Sequence, residues 1–219
     1  MSANSTWRSP WTWAGILAGV LYLALRMGPE DSLIGRLVLK PIPVALMVGW
    51  VLRGPRDRYG VGVATGLLFA MAGDIVLEFE GSTPFLAGLA LNLIAHIAYI
   101  IAFGGGHPPL ALRRAFVFFL PVGVLLGSLY EGLGQMAIPV LAYGTAISAM
   151  MWRASARIGM QGQSSRGAWL ATLGAIGFAI CDSLIALNRF GSPIQGVALP
   201  IMLAYWFGQW GIAASARNR

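Results

Sequence analysis

Apolar residues run along this chain in blocks of roughly 16 to 22, and polar residues gather in the short stretches between them. A helix needs about 20 predominantly apolar residues to cross a bilayer. The blocks are continuous rather than alternating, so the pattern predicts membrane helices and not a lipid-embedded barrel. The expected fold is all-α, a polytopic membrane protein with eight transmembrane helices. They fall at about 11–26, 32–52, 60–77, 84–103, 115–130, 136–152, 168–187 and 194–215. The first, fifth and sixth are short for a full crossing. So little chain is left over that residues 1–219 are expected to form a single integral membrane domain, with loops too short to host a soluble active site. Arg8 ahead of an apolar run resembles the start of a signal peptide. No small-residue cleavage site follows, so this run is expected to stay as the first helix.

Composition sharpens this picture. Of the 219 residues, 57% are hydrophobic and only 11% charged, with mean hydropathy +0.71, unlike a soluble domain. The net charge of +7 does not point to nucleic acid, because the basic residues sit in short loops where they set topology. With the N-terminus in the cytoplasm, the inner segments hold Arg8, the trio Arg53, Arg56 and Arg58, the pair Arg113 and Arg114, then Arg153, Arg157, Arg166, Arg217 and Arg219. The outer loops hold Arg26 and Arg189, while Arg36 and Lys40 lie within the second block. This asymmetry places both termini in the cytoplasm of a cell (inner) membrane protein, and the short arginine-rich loops look bacterial. A faint internal repeat is also visible. "IPVAL" at 42–46 resembles "IPVLA" at 138–142, "FAMAGD" at 69–74 resembles "FAICD" at 178–182, and "EGSTP" at 80–84 resembles "FGSP" at 190–193. Under this topology the two halves would be parallel four-helix copies.

Candidate chemistry follows from what interrupts the apolar blocks. An ionisable group inside a membrane helix costs on the order of a few kcal/mol, which makes it a functional candidate. Lys40, Asp74, His96 and Asp182 are such groups, and Glu78 lies one helical turn after Asp74 on the same face. Asp74 and Asp182 each lie 14 residues from the cytoplasmic start of their blocks. Lys40, His96 and Tyr205 fall between mid-membrane and the outer third, so the polar groups form a layer. Structural readings stand beside the functional one. Asp74 with Lys40 makes a neutralising ion pair between helices, and His96 with Tyr99 a packing pair. Asn92, Tyr143, Tyr205 and Gln209 serve as interhelical glue, and Cys181 as a small buried hydrophobe. A lone cysteine and two histidines give little from which to build a metal site, so none is expected, nor any cofactor. No serine-nucleophile motif, Walker loop or dinucleotide fingerprint is present. Two carboxyl groups at one depth, away from water, suit general acid–base work, with one holding a proton while the other activates water.

Several stretches also resemble a known family. They are "KPIPV" at 40–44, "GDIVL" at 73–77, "HIAY" at 96–99, "YGTAISAM" at 143–150, "GAIGFAICDSLIAL" at 174–187 and "YWFGQWGI" at 205–212. In this order they are similar to the YhhN-like lysoplasmalogenase family of eight-span membrane proteins. The chain departs from the family's usual pattern at Cys181, where Ser is common, at Ala95, where Gly is common, and near Asn92, where a Phe is common. The resemblance implies hydrolysis of the vinyl ether of lysoplasmalogens to a fatty aldehyde and a glycerophospho-base, with a lysophospholipid and water as reactants. On that reading Asp74 and Asp182 are the catalytic pair, either of them the donor. Lys40 holds one aspartate ionised or meets the lipid phosphate. Glu78, Asn92, His96, Tyr99, Tyr143, Tyr205 and Gln209 bind or orient. A proton-coupled transporter using the same carboxylates is the alternative, and a purely structural polar layer is a third reading. The sequence leaves the oligomeric state and the physiological lipid open.

Overall fold

The computed structural model describes residues 10–29 and 31–218, so Arg8 and Arg219 of the charge pattern lie outside the described residues. Helix covers nearly all of what is described, and no strand occurs there. The helices are α1 (Pro10–Met27), α2 (Leu33–Leu39), α3 (Pro41–Leu52), α4 (Arg58–Val76), α5 (Ser82–Gly104), α6 (Leu112–Leu133), α7 (Ala137–Ala156), α8 (Ser165–Phe190) and α9 (Ala198–Arg217). A 3₁₀ turn, Gly134–Met136, joins α6 to α7. By length and apolar composition, five stretches suffice to cross a membrane: Leu33–Leu52, Arg58–Val76, Ser82–Gly104, Leu112–Ala156 and Ser165–Phe190. Trp11–Met27 is a shorter apolar helix. These spans make the chain a helical multi-pass membrane protein.

The helix starts and breaks have local causes. Asp57 caps α4 by accepting from the Gly60 amide at 2.9 Å, and Ser164 caps α8 through Gly167 at 3.2 Å. The second apolar block is not one helix but two. Pro41 and Pro43 remove two backbone donors, so the run breaks at Lys40 and restarts with Pro41 at its first position.

Large apolar side chains face outward, among them Ile34, Ile101, Phe116 and Ile138, while Lys40, Asp74, Asn92, His96 and Gln209 are buried. That is the arrangement lipid demands, with polar groups turned to the bundle interior. In the first half of the chain α1 packs on α3, α3 on α4 and α4 on α5. In the second half α6 packs on α7, α7 on α8 and α8 on α9. Across the halves, α5 meets α7 and α9 meets α3. The tightest contacts are made by glycine. A Cβ on Gly174 would lie 2.6 Å from the Ile212 nitrogen, and one on Gly208 2.6 Å from the Phe178 nitrogen, so α8 and α9 touch backbone to backbone. Gly66 likewise makes room for the Tyr99 ring between α4 and α5.

Candidate functional site

The helices place the polar layer around one cavity of about 290 Å³. Asp74 enters it from the last turns of α4, and Asp182 from α8, two turns before that helix ends. Lys40 reaches it from the proline break, Asn92 from α5, Tyr143 from α7 and Tyr205 from α9. Most of the remaining wall is apolar, with Phe85, Leu89, Ile185 and Met202, and Asn188 and Arg189 lie at one end of it. A cavity with a few polar groups on one side and hydrocarbon on the other suits an amphiphile.

Asp182 accepts a hydrogen bond from the Tyr143 hydroxyl at 2.7 Å. The Nε2 atom of His96 stands 3.9 Å from the same carboxylate oxygen. The His96 ring is fully buried, edge-on to Tyr143 and to Phe178 with 4.8 Å between centroids in both cases. Neither of its nitrogens has a hydrogen-bond partner among the described residues. Across the cavity, the Tyr205 hydroxyl faces the Asp74 carboxyl but completes no hydrogen bond of good geometry. The two carboxyl groups line the same cavity. Asn92 donates to the Gly88 carbonyl at 3.2 Å, with Gly73 leaving the space it occupies.

Four candidates, Glu78, His96, Tyr99 and Gln209, stand behind the cavity or beside it. Tyr99 donates to Gln209 at 2.7 Å in the buried layer behind, and neither residue lines the cavity. Glu78 follows the end of α4, outside the lining, and is the centre of an ionic cluster. It accepts from Lys40 at 2.6 Å, from Arg36 at 2.7 Å and from Tyr22 at 3.0 Å, while Arg36 also pairs with Asp31. The expected pairing of Lys40 with the Asp74 carboxylate is therefore replaced. Lys40 binds Glu78 and reaches Asp74 at its main-chain carbonyl, at 3.3 Å. Glu78 displaces Asp74 because it emerges where the helix ends and can turn back toward the break.

Sequence reasoning passed over Tyr22, whose helix lies far from Glu78 in the chain. It also passed over Phe178, Cys181 and Arg189 as cavity-lining residues. Arg189 carried a usable signal, since it lies seven residues after Asp182 and hence on the same helical face. Among the described residues no group of three or more His, Cys, Asp or Glu side chains gathers as a metal site would require.

Comparison with known proteins adds lineage to this geometry. Residues 35–216 match the YhhN family. The chain is 32% identical over 214 residues to "Lysoplasmalogenase TMEM86B" of Homo sapiens, covering 96% of this chain and 86% of that protein. It is 35% identical over 156 residues to "Lysoplasmalogenase TMEM86A" of Homo sapiens, covering 70% and 64% respectively. It is 31% identical over 212 residues to "Lysoplasmalogenase" of Mycobacterium tuberculosis, covering 88% and 77%. No solved structure gives a significant match.

Proposed function

The chain belongs to the YhhN family, and from that premise we propose that it is a membrane-embedded hydrolase of lysoplasmalogens. It cleaves their vinyl ether to a fatty aldehyde and a glycerophospho-base. The observation that carries the mechanism is that two carboxyl groups, on α4 and α8, line one cavity with an apolar wall. Relatives named lysoplasmalogenase over most of this chain's length support the substrate class. The carrier reading finds no support among them.

The chemistry needs a proton, a water and an anion in one place. A carboxylic acid protonates the alkenyl carbon β to the ether oxygen, and the carbon bonded to that oxygen shares the resulting positive charge with it as an oxocarbenium ion. The second carboxylate takes a proton from water as the water attacks the oxygen-bearing carbon, which gives a hemiacetal. The hemiacetal then collapses to aldehyde and glycerol hydroxyl, and the first carboxylate regains a proton, so the balance is one water consumed. Lys40 sets a positive charge beside Asp74, which suits the water-activating carboxylate. Asp182, held by Tyr143 and, among the described residues, with no lysine or arginine within ion-pair distance, is the proton donor. His96 buttresses Tyr143 by ring contact. Tyr205 steadies Asp74 and the water, and the Tyr99–Gln209 pair props the helices behind them. Asn92 sits where it can orient the glycerol. Leu89, Ile185 and Met202 give the lipid an apolar wall.

We infer further that the chain forms one membrane domain crossing eight times, with α2 and α3 as a single broken crossing and both termini in the cytoplasm. The contact pattern supports two parallel four-helix repeats. Every contact in the first-half series has its counterpart four crossings later, and the α5–α7 contact corresponds to α9–α3.

The deciding experiment follows aldehyde and glycerophospho-base from purified protein given lysoplasmalogen or the matched ester lysolipid. Aldehyde from the vinyl ether alone is the expected result. No turnover of either by folded protein would sink the assignment.

A further inference from the structure

Two cations line the cavity, and their surroundings differ. Lys40 is buried, and its ammonium is bound by the Glu78 carboxylate at 2.6 Å and the Asp74 carbonyl at 3.3 Å. Arg189 comes from the last turn of α8 and is exposed. Among the described residues no carboxylate lies within ion-pair distance of it. Its guanidinium sits over the Phe85 ring at 3.7 Å from the centroid, with the Phe190 ring at 6.0 Å. Stacking on an aromatic face fixes the plane of a guanidinium and leaves its N–H edge to bind something else. A planar fork of donors, always charged, at the water-exposed end of an amphiphile's cavity is the chemistry that holds a phosphodiester in bidentate fashion.

The spacing agrees. Arg189 follows Asp182 by seven residues, two turns along one face and about 10 Å of helix axis. In a lysolipid the ether at one end of the glycerol is separated from the phosphodiester by three carbons, and this fits within that span.

We propose that Arg189 binds the head-group phosphodiester of the lysolipid and makes the cavity selective for phosphate-bearing ethers over neutral alkenylglycerols. The proposal rests on the hydrolase reading above. Lys40, which sequence reasoning offered for the phosphate, is left to Glu78.

The test compares 1-alkenylglycerophosphoethanolamine with 1-alkenylglycerol in phospholipid-free detergent, so that no bilayer lipid competes for the cation. In Arg189→Ala and Arg189→Gln the ratio of kcat/KM for the two substrates falls at least about tenfold, mainly through KM, as expected for a lost charge-assisted contact. Arg189→Lys recovers part of it. A ratio that stays at the wild-type value overturns the proposal. So does an equal loss on both substrates, which would mean that Arg189 only props Phe85. A second readout does not need catalysis. It measures binding of the uncleavable 1-alkylglycerophosphocholine against 1-alkylglycerol. If wild-type protein cleaves neither vinyl ether yet prefers the phosphate-bearing ligand through Arg189, the anion site stands and the hydrolase reading falls. If cleavage is robust and neither readout depends on Arg189, the hydrolase reading stands and the anion site falls.

Discussion

The Lys40 ammonium is bound by Glu78 at 2.6 Å and meets Asp74 at its main-chain carbonyl rather than its carboxylate. The carboxylate of Asp74 thus keeps a cation nearby without being tied to it. Arg36 and Tyr22 complete the shell around Glu78, so one acidic residue gathers α1, α2 and the proline break onto the end of α4.

Removing that acid strands a buried charge. Glu78→Ala is expected to destabilise the fold by about 3–5 kcal/mol, the cost of breaking one side of a buried pair. Asp31→Ala, which touches the exposed edge of the same cluster, should cost much less, because exposed pairs contribute about 0–1 kcal/mol. Thermal unfolding midpoints of the two variants in one detergent check this, and equal midpoints would refute it.

Replacing either aspartate by asparagine keeps the shape and removes the proton chemistry. Asp74→Asn and Asp182→Asn should each lower kcat by about 10²–10⁴, the range for a positioned acid or base. The two variants should also differ. With Asp182 as donor, Asp74→Asn still protonates the alkenyl carbon, and the ion can return to substrate. Unreacted vinyl ether recovered from deuterated water then carries deuterium at that carbon with Asp74→Asn and none with Asp182→Asn. The opposite pattern would exchange the two roles.

Tyr143 touches Asp182 by one hydroxyl, 2.7 Å away. Tyr143→Phe preserves the ring that meets His96 and deletes only that bond. A hydrogen bond to the carboxylate that Asp182 becomes as it gives up its proton contributes about 1.5–3 kcal/mol, so kcat should fall about ten- to a hundredfold with little change in stability. A variant as active as the parent would remove Tyr143 from the mechanism.

Glycine matters where backbone opposes it. In Gly208→Ala the new methyl meets the Phe178 backbone nitrogen at 2.6 Å, which cannot rotate away, and about 1–3 kcal/mol of overpacking strain follows. Gly123→Ala and Gly127→Ala on α6 find nothing within 4 Å and should leave the melting temperature where it was or raise it. Comparable losses at all three sites would contradict the close α8–α9 contact.

The apolar blocks were legible because lipid leaves the backbone few choices, and their limits lie close to the helix bounds along the described chain. The convergence of Asp74 and Asp182 on one cavity was legible too, since counting residues from a helix start places both side chains at a similar level along their helices. Rotation was not. A helix apolar on every side carries no stripe to say which face meets which neighbour. Whether Lys40 would turn to Asp74 or to Glu78, and whether Tyr22 or Arg189 would face the same space, depended on that rotation. The break at Lys40 was written in Pro41 and Pro43, but unbroken hydropathy across 32–52 concealed it.

The backbone contact between α8 and α9 has a mechanical consequence. Where two helices meet backbone to backbone through glycine there is little side chain between them to repack, so they move as a single blade that carries Asp182 and Tyr205 in fixed register. A lipid that enters and an aldehyde that leaves must pass by displacing something else. On α6, open space lies over Gly123 and Gly127, so that flank offers room for such a displacement while the reacting groups hold still.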